Sequence, residues 1–217
     1  MARLPSPPIY REPMPAHDEG VRLYGPWRVR TPADAADLFK EYRGPWWVAG
    51  GWAVEAFTGV HRQHGDLDPS IPRADVALLE DYVAGRLDVW AADDGTLRPL
   101  VEPATKPLAP ACSNLWLRAS GADPWEYDVL LMDVRASTWT YKRDARVSRP
   151  LDEILWARDG IHYLRPEVQL LHKAPGRRPK DEEDFEACLP LLDDTARGWL
   201  VRALEVAHPS HPWLDRM

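Results

Sequence analysis

A short apolar run, a pair of glycines and a stretch without helix breakers follow one another at residues 46–59, and this succession constrains the fold most. The run at 46–49 lies between Gly-Pro and Gly-Gly, which favours a short buried strand. Residues 52–57 contain no breaker and Gly59 closes the stretch, so we expect a helix after the glycines. Such a turn offers backbone N–H groups and a helix N-terminus to an anion such as phosphate.

Two carboxylates follow in the sequence Asp66-Leu67-Asp68, on a second predicted strand at about residues 66–71. Residues i and i+2 of a strand share a face, so Asp66 and Asp68 lie together while Leu67 faces the core. Paired carboxylates suit Mg²⁺, which prefers oxygen ligands and substrate phosphates. Pro69 comes next, and because proline cannot donate to a sheet, it predicts either a strand that ends early at a sheet edge or a distortion that misplaces Asp68.

The order of elements predicts an α+β fold with a helical C-terminal part. Helices are predicted at residues 31–39, 74–87, 165–174, 181–192 and 194–207, and further strands at 87–93, 114–119 and 125–134. The chain therefore divides into three predicted parts. These are a proline-rich N-terminal arm with an irregular path (1–30), a domain that holds the sheet (31–150) and a helical C-terminal subdomain (151–217).

The composition and charge of the chain argue against several kinds of binding partner. The 217 residues include 27 basic and 34 acidic side chains, and the net charge of −7 argues against a protein that coats nucleic acid. No apolar run approaches the ~18 residues of a membrane span, and the N-terminus lacks the apolar centre of a secretory signal. Cys112 and Cys188 form neither a disulfide framework nor a zinc site. We expect a cytoplasmic protein with no membrane partner, and the oligomeric state stays open.

The segment at 46–73 resembles the aminoglycoside nucleotidyltransferase-like branch of the nucleotidyltransferase superfamily, which has the DNA polymerase beta fold. The matching residues are Gly50, Gly51, Trp52, Ala53, Arg62, His64, Gly65, Asp66 and Asp68. The C-terminal sequences YLRPEVQLLHKA, RPKDEEDF and HPSHPWL are also similar to that branch. The resemblance implies a small mixed sheet flanked by helices, ATP or another nucleoside triphosphate as a substrate, and one or two Mg²⁺ ions.

The resemblance also implies a third carboxylate on a neighbouring strand, as a metal ligand or as the base that takes a proton from the attacking hydroxyl. Glu126 and Asp128 alternate onto one face of the predicted strand, with Asp133 on the opposite face. We favour Asp128, because a carboxylate inside an apolar strand needs a cation or a partner. Glu126 is the second candidate and is otherwise an exposed strand residue.

Nucleotide contacts follow from the same resemblance. The phosphates of the nucleotide are expected over Gly50 and Gly51, beside Trp52. Arg62 and His64 either contact phosphate or orient Asp66 through hydrogen bonds. Lys173 is a candidate phosphate contact, and the alternative is an exposed helix lysine.

These features predict an enzyme that moves a nucleoside monophosphate, AMP as a first guess, onto a hydroxyl of a small, aminoglycoside-like molecule. A polycationic acceptor suits an acidic pocket, for which the candidates are Asp123, Glu126, Glu153 and Asp159. One alternative, motivated by Pro69, is a nucleotide-binding or regulatory module of the same fold that has lost turnover. Another is an RNA or protein acceptor, for which GRRPK at 176–180 is the only compact basic stretch.

Overall fold

The computed structural model describes residues 17–93, 95–100 and 108–217. Within these ranges the helices are α1 (His17–Tyr24), α2 (Pro32–Leu38), α3 (Gly50–Thr58), α4 (Val76–Val83), α5 (Pro166–Lys173), α6 (Pro179–Cys188) and α7 (Asp194–Ala207). The strands are β1 (Trp47–Val48), β2 (Pro69–Pro72), β3 (Asp88–Asp93), β4 (Thr96–Pro99), β5 (Asn114–Arg118), β6 (Tyr127–Met132), β7 (Val134–Arg135), β8 (Thr138–Thr140), β9 (Ser148–Pro150), β10 (Leu155–Arg158) and β11 (Ile161–Leu164).

Eight of these strands form one mixed sheet in the order β10-β11-β1-β2-β6-β5-β3-β4. Strand β1 runs parallel to β11 and antiparallel to β2, while β2 runs parallel to β6. The other three strands form a separate antiparallel sheet in the order β7-β8-β9. The predicted α+β class, with a mixed sheet and a helical C-terminal part, is confirmed.

The main sheet separates two hydrophobic cores. The alternation of side chains along a strand shows this at β1, where Trp47 packs into one core and Val48 into the other. The core of Trp47 includes apolar residues of α5, α6 and α7, and the core of Val48 includes those of α2 and α4. The sheet is therefore covered by the C-terminal helices on one side and by α2 and α4 on the other.

Strand β2 lies in the centre of the sheet although it begins with Pro69. The preceding segment is also held on both sides. The N–H of Asp128 donates to the carbonyl of Leu67 at 3.0 Å, and the N–H of Ala49 donates to the carbonyl of Asp68 at 2.9 Å. The expectation of a strand that ends at a sheet edge is wrong. Proline lacks an N–H and cannot donate a hydrogen bond, but the carbonyls of Leu67 and Asp68 accept hydrogen bonds from both neighbouring segments and so continue the pairing.

The hairpin formed by β10 and β11 was not predicted. Its turn contains Asp159 and Gly160, whose φ angles of 52° and 77° are those that a tight hairpin turn requires. Strand β11 pairs with β1, so residues after 150 contribute to the main sheet as well as to the C-terminal helices. The division of the chain at residue 150 stays a prediction.

The N-terminal arm is only partly described, and residues 1–16 lie outside the described residues. Where an irregular path was expected, residues 17–24 form helix α1, because this stretch contains none of the prolines of the arm. The indole N–H of Trp125 donates to the carbonyl of Tyr24 at 2.8 Å, and this contact ties the end of α1 to the sheet domain. None of the described helices has the length and apolar character to cross a membrane.

Candidate functional site

Three carboxylates converge where β2 and β6 lie side by side. Asp66, Asp68 and Asp128 each offer an oxygen, and these oxygens all lie within 4.8 Å of one another. The parallel pairing of β2 with β6, and the hydrogen bond from Asp128 to the carbonyl of Leu67, set their register. All three residues are half-buried. Closely spaced carboxylate oxygens are the donor set that Mg²⁺ prefers.

The protonation of this cluster is strongly perturbed. Burial, together with the charge of Asp66, raises the pKa of Asp128 to about 7, while hydrogen bonds from Asn114 and Trp116 oppose the shift. The amide nitrogen of Asn114 lies 2.8 Å from Oδ1 of Asp128. Burial and then the charges of Asp66 and Asp128 raise the pKa of Asp68 well above its usual range. The site thus concentrates negative charge that a cation would stabilise.

Gly50 is required by both its backbone conformation and its surroundings. Its φ is +66°, and a Cβ added there would lie 1.7 Å from Oδ2 of Asp68. Its N–H donates to Oε1 of the buried Gln169 at 2.7 Å, which ties the start of α3 to α5. At Gly51 an added Cβ would lie 2.1 Å from a terminal nitrogen of Arg62. The glycine pair thus lets Asp68 and Arg62 approach the N-terminus of α3.

Glu55 organises the loop that leads to the carboxylates. Its Oε1 lies 2.7 Å from Nδ1 of His61, and its Oε2 lies 2.8 Å from Nε2 of His64 and 3.2 Å from the backbone nitrogen of Arg62. The ring of His64 also stacks on Trp52, with the centroids 4.0 Å apart. Burial lowers the pKa of His64, although the Glu55 carboxylate opposes this shift. His64 and Trp52 therefore contact each other beside Gly51, and the contact with Glu55 fixes the ring of His64.

Lys173 lies at the end of α5 and is buried, so the alternative of an exposed helix lysine is wrong. Its Nζ lies 2.7 Å from Oδ2 of Asp184 and 3.4 Å from Oδ1 of Asp181, both buried residues of α6. Asp184 also pairs with Arg62 at 3.4 Å. This network joins α5, α6 and the loop before the carboxylates. The positive charge of Lys173 also opposes the increase in the pKa of Asp68.

Two cations at the start of α6, Arg178 and Lys180, lie within the electrostatic field of the cluster. From the sequence they were considered only as part of the basic stretch at 176–180. Burial, and then the charge of Arg178, lower the pKa of Lys180. The negative charge of Asp66 opposes this shift. The pKa of Arg178 is raised mainly by its hydrogen bond to Asp181, with smaller contributions from Asp66 and Asp68. The signal in the sequence is the basic stretch at 176–180, which immediately precedes the acidic first turns of α6.

Glu126 and Asp133 lie outside the carboxylate cluster. Glu126 is buried, and its Oε2 accepts a hydrogen bond from Nε of Arg30 at 3.1 Å, while its Oε1 lies 3.7 Å from Arg28. The expectation that Glu126 is otherwise an exposed strand residue is therefore wrong. Asp133 pairs with Arg73 at 3.2 Å.

The remaining acids considered for an acidic pocket are each engaged by a near neighbour. Asp123 accepts a hydrogen bond from the hydroxyl of Ser120 at 2.6 Å. Glu153 lies 3.5 Å from Arg149, and Asp159 lies 3.7 Å from Arg158. Each of the three acids thus has a local contact, and none of them belongs to the carboxylate cluster beside the glycine turn.

No family model matches the sequence, and no curated protein matches it. The fold is similar to solved structures at low identity. A lincosamide antibiotic adenylyltransferase, LnuA with lincomycin bound, is 15% identical at a TM-score of 0.48, over 73% of this chain and 94% of that one. ANT(2″)-Ia in complex with adenylyl-2″-tobramycin is 15% identical at a TM-score of 0.48, and the match covers 77% of this chain and 91% of that one. The solution structure of the antibiotic-resistance factor ANT(2″)-Ia is 17% identical at a TM-score of 0.46, and the match covers 81% of this chain and 93% of that one.

Proposed function

We propose that this chain is a Mg²⁺-dependent nucleotidyltransferase that transfers AMP from ATP to a hydroxyl group of a small molecule, with an aminoglycoside-like compound as the first candidate. The observation that carries the proposal is the convergence of Asp66, Asp68 and Asp128 within 4.8 Å, directly beside the glycine turn that begins α3. Carboxylates that gather a cation next to a phosphate-binding turn are what phosphoryl transfer requires.

The residues fit a divalent cation. Their oxygens are hard donors, and the raised pKa values of Asp68 and Asp128 reflect carboxylates that are buried together without enough positive charge nearby. Asp66, Asp68 and Asp128 would hold the ion. When bound, Mg²⁺ neutralises phosphate charge and orients the reacting groups.

The residues of the chain supply the remaining requirements. The first turn of α3 presents the backbone N–H of Gly51 to the phosphates, while Gln169 holds the N–H of Gly50, and Lys180 and Arg178 add positive charge. Lys173 acts indirectly in this proposal, because its ion pairs with Asp181 and Asp184 hold α6 and Arg62 in place. We thus assign phosphate contact to Lys180 rather than to Lys173.

In the proposed reaction the hydroxyl oxygen of the acceptor bonds to the α-phosphorus of ATP. The bond from that phosphorus to the oxygen bridging to the β-phosphate breaks, and pyrophosphate leaves. Asp128 accepts the proton of the hydroxyl group, and its carboxylate is oriented by Asn114 and Trp116. Positioning and charge stabilisation supply most of the catalysis in transfers of this kind.

The first experiment is a titration of ATP, with and without Mg²⁺, against the wild type and Asp66→Asn, followed by intrinsic Trp fluorescence. Trp116 forms a hydrogen bond with Asp128, and Trp52 stacks on His64 beside the glycine turn, so we expect a signal on binding. The control is Asp133→Asn, which removes a carboxylate paired with Arg73 outside the cluster. We expect Mg²⁺-dependent binding that Asp66→Asn abolishes and Asp133→Asn retains.

Pyrophosphate release in the presence of aminoglycosides and other hydroxylated small molecules then tests the transfer. Loss of release in Asp66→Asn, with an unchanged thermal unfolding midpoint, is the expected result. Nucleotide binding without release for any acceptor would favour the alternative of a regulatory module. Failure of the wild type to bind millimolar ATP would overturn the proposal.

A further inference from the structure

A cavity of about 480 Å³ lies at the ends of α3 and α5 that are remote from the carboxylate cluster. Its lining includes Ala56 and Phe57 from the last turns of α3, and Arg165 and Pro166 from the start of α5. The opposite ends of the same two helices carry Gly50 and Lys173. The cavity is therefore separate from the site proposed for the nucleotide, and its volume is typical of small-molecule sites, which span about 300–1,000 Å³.

Arg165 brings an unbalanced positive charge to this cavity. Its Nε is buried and has no hydrogen-bond partner, and among the described residues no carboxylate forms an ion pair with its guanidinium. A buried N–H without an acceptor is destabilising, and such groups are rare in folded proteins. The other arginine of the lining, Arg158, is engaged, because its Nη1 donates to the carbonyl of Ala56 at 2.6 Å and its Nε lies 3.7 Å from Asp159.

The acids in the lining do not neutralise Arg165. Oε1 of Glu167 pairs with Arg149 at 3.0 Å, and this carboxylate is buried. Oδ1 of Asp193 accepts a hydrogen bond from the backbone nitrogen of Ala196 at 2.8 Å and thereby caps α7. The cavity thus contains acids that already have partners and one guanidinium that lacks one.

Apolar side chains form the rest of the lining. The rings of Phe57 and Trp156 meet edge to face, with their centroids 6.2 Å apart, and Leu191 lies at the rim with half of its surface exposed. The indole N–H of Trp156 is a second buried donor without a partner. A complementary ligand therefore combines hydrogen-bond acceptors and negative charge with an apolar body.

We propose that this cavity binds a small organic anion, whose carboxylate or phosphate group accepts hydrogen bonds from Arg165 while its apolar body packs against Phe57 and Trp156. The inference is independent of the nucleotidyltransferase proposal, because none of these residues belongs to the carboxylate cluster. Arginine suits this role because its planar guanidinium donates two parallel hydrogen bonds to carboxylate or phosphate oxygens.

The test uses naphthoate, an aromatic carboxylate, and the neutral naphthamide of the same shape, with binding to the full-length protein measured by isothermal titration calorimetry. We expect naphthoate to bind at least about tenfold more tightly than naphthamide, since a hydrogen bond to a charged group contributes about that factor. Naphthyl phosphate, measured in parallel, identifies which of the two anionic groups the cavity prefers. Equal affinities for acid and amide, or no binding at millimolar naphthoate, would overturn the proposal.

Two variants locate the binding. Arg165→Gln keeps a polar side chain and is expected to weaken naphthoate binding about tenfold, with little effect on naphthamide. Ala196→Phe fills the cavity from α7 and is expected to abolish binding of both compounds. The control is Arg135→Gln, which removes an exposed arginine from β7 outside the lining and should leave the affinity unchanged. Thermal unfolding of each variant verifies the fold, and unchanged affinity in Arg165→Gln and Ala196→Phe would rule out this cavity.

Discussion

Gly50 combines two constraints that are usually met separately. Its positive φ restricts the position to residues that tolerate the left-handed region, and the approach of Asp68 leaves no space for a side chain. The same residue donates its N–H to Gln169, so the backbone path at the start of α3 is determined by contacts on two sides. The carboxylate of Asp68 therefore takes its position from the absence of a Cβ at Gly50.

The first prediction concerns Gly50→Ala, with Gly59→Ala as a matched control. Gly59 ends the same helix with a φ of +71° and has open space where a Cβ would lie, so its substitution carries only the conformational penalty, roughly 1–2 kcal/mol. Gly50→Ala adds a collision with Asp68 and should be less stable than Gly59→Ala in urea unfolding. It should also lose Mg²⁺-dependent ATP binding, which Gly59→Ala should keep. Equal stability and equal binding in the two variants would contradict this account.

The carboxylate of Glu55 holds the loop at residues 60–66 through its contacts with three of the loop's residues. A second prediction is that Glu55→Gln weakens ATP binding about tenfold, because an amide cannot accept hydrogen bonds from His61, Arg62 and His64 at once. Amide hydrogen exchange in residues 60–66 should become faster, while the thermal midpoint changes little. Glu205→Gln, an exposed position on α7, is the control. Unchanged exchange in the loop would show that Glu55 does not hold it.

At the scale of elements, α5 and α6 are joined by charges that are buried between them. The third prediction separates Lys173 from Lys180. Lys173→Met leaves the buried carboxylates of Asp181 and Asp184 with less positive charge and should destabilise the fold by about 3–5 kcal/mol. Lys180→Met removes a cation at the start of α6 that forms no close ion pair with the described residues and should leave the free energy of unfolding nearly unchanged while ATP binding weakens. Loss of ATP affinity in a stably folded Lys173→Met would instead make Lys173 the phosphate contact.

Local pattern predicted the elements around the site well, since strand, glycine turn and helix are encoded by adjacent residues. The distinction between Lys173 and Lys180 was not predictable, because it depends on how α5 packs against α6. Glu126 and Asp128 were likewise equivalent by alternation alone. They differ because Arg30, far away in the sequence, reaches Glu126, whereas Asn114 and Trp116 reach Asp128.

The hairpin of β10 and β11 was missed although its signal is local. Asp159-Gly160 is a strong indicator of a two-residue hairpin turn, and alternating residues flank it. The parallel contact of β11 with β1 has no such local signal, because it joins positions more than a hundred residues apart. It is this contact that brings the C-terminal helices against the strand leading into Gly50, and the site depends on it.

At the scale of the whole molecule, the carboxylate cluster opposes folding when no cation is bound. Burial and the charge of Asp66 raise the pKa of Asp128 to about 7, and the pKa of Asp68 is raised in the same direction. Between the usual carboxyl pKa and about pH 7, the folded protein therefore holds protons that the unfolded chain has released. The contribution of these two carboxyl groups to the free energy of unfolding falls as pH rises through this window, because their folded forms bind more protons there. The buried His172, whose pKa burial lowers to about 3, contributes in the opposite direction, so the contribution of the cluster is measured as a difference between variants.

The fourth prediction follows for Asp128→Asn in the absence of metal. At about pH 8 this variant should be more stable than the wild type, on the order of 2 kcal/mol, and the difference should vanish towards about pH 3, where the carboxyl is mostly protonated in both states. Added Mg²⁺ should stabilise the wild type at the higher pH and have a much smaller effect on the variant. The control is Glu126→Gln, which breaks the pair with Arg30 in the same strand region and should lower stability instead. Urea unfolding across this pH range measures both variants. A difference in stability between Asp128→Asn and the wild type that does not grow between about pH 3 and pH 8 would show that the three carboxylates do not repel one another, and the reason to place a cation among them would disappear.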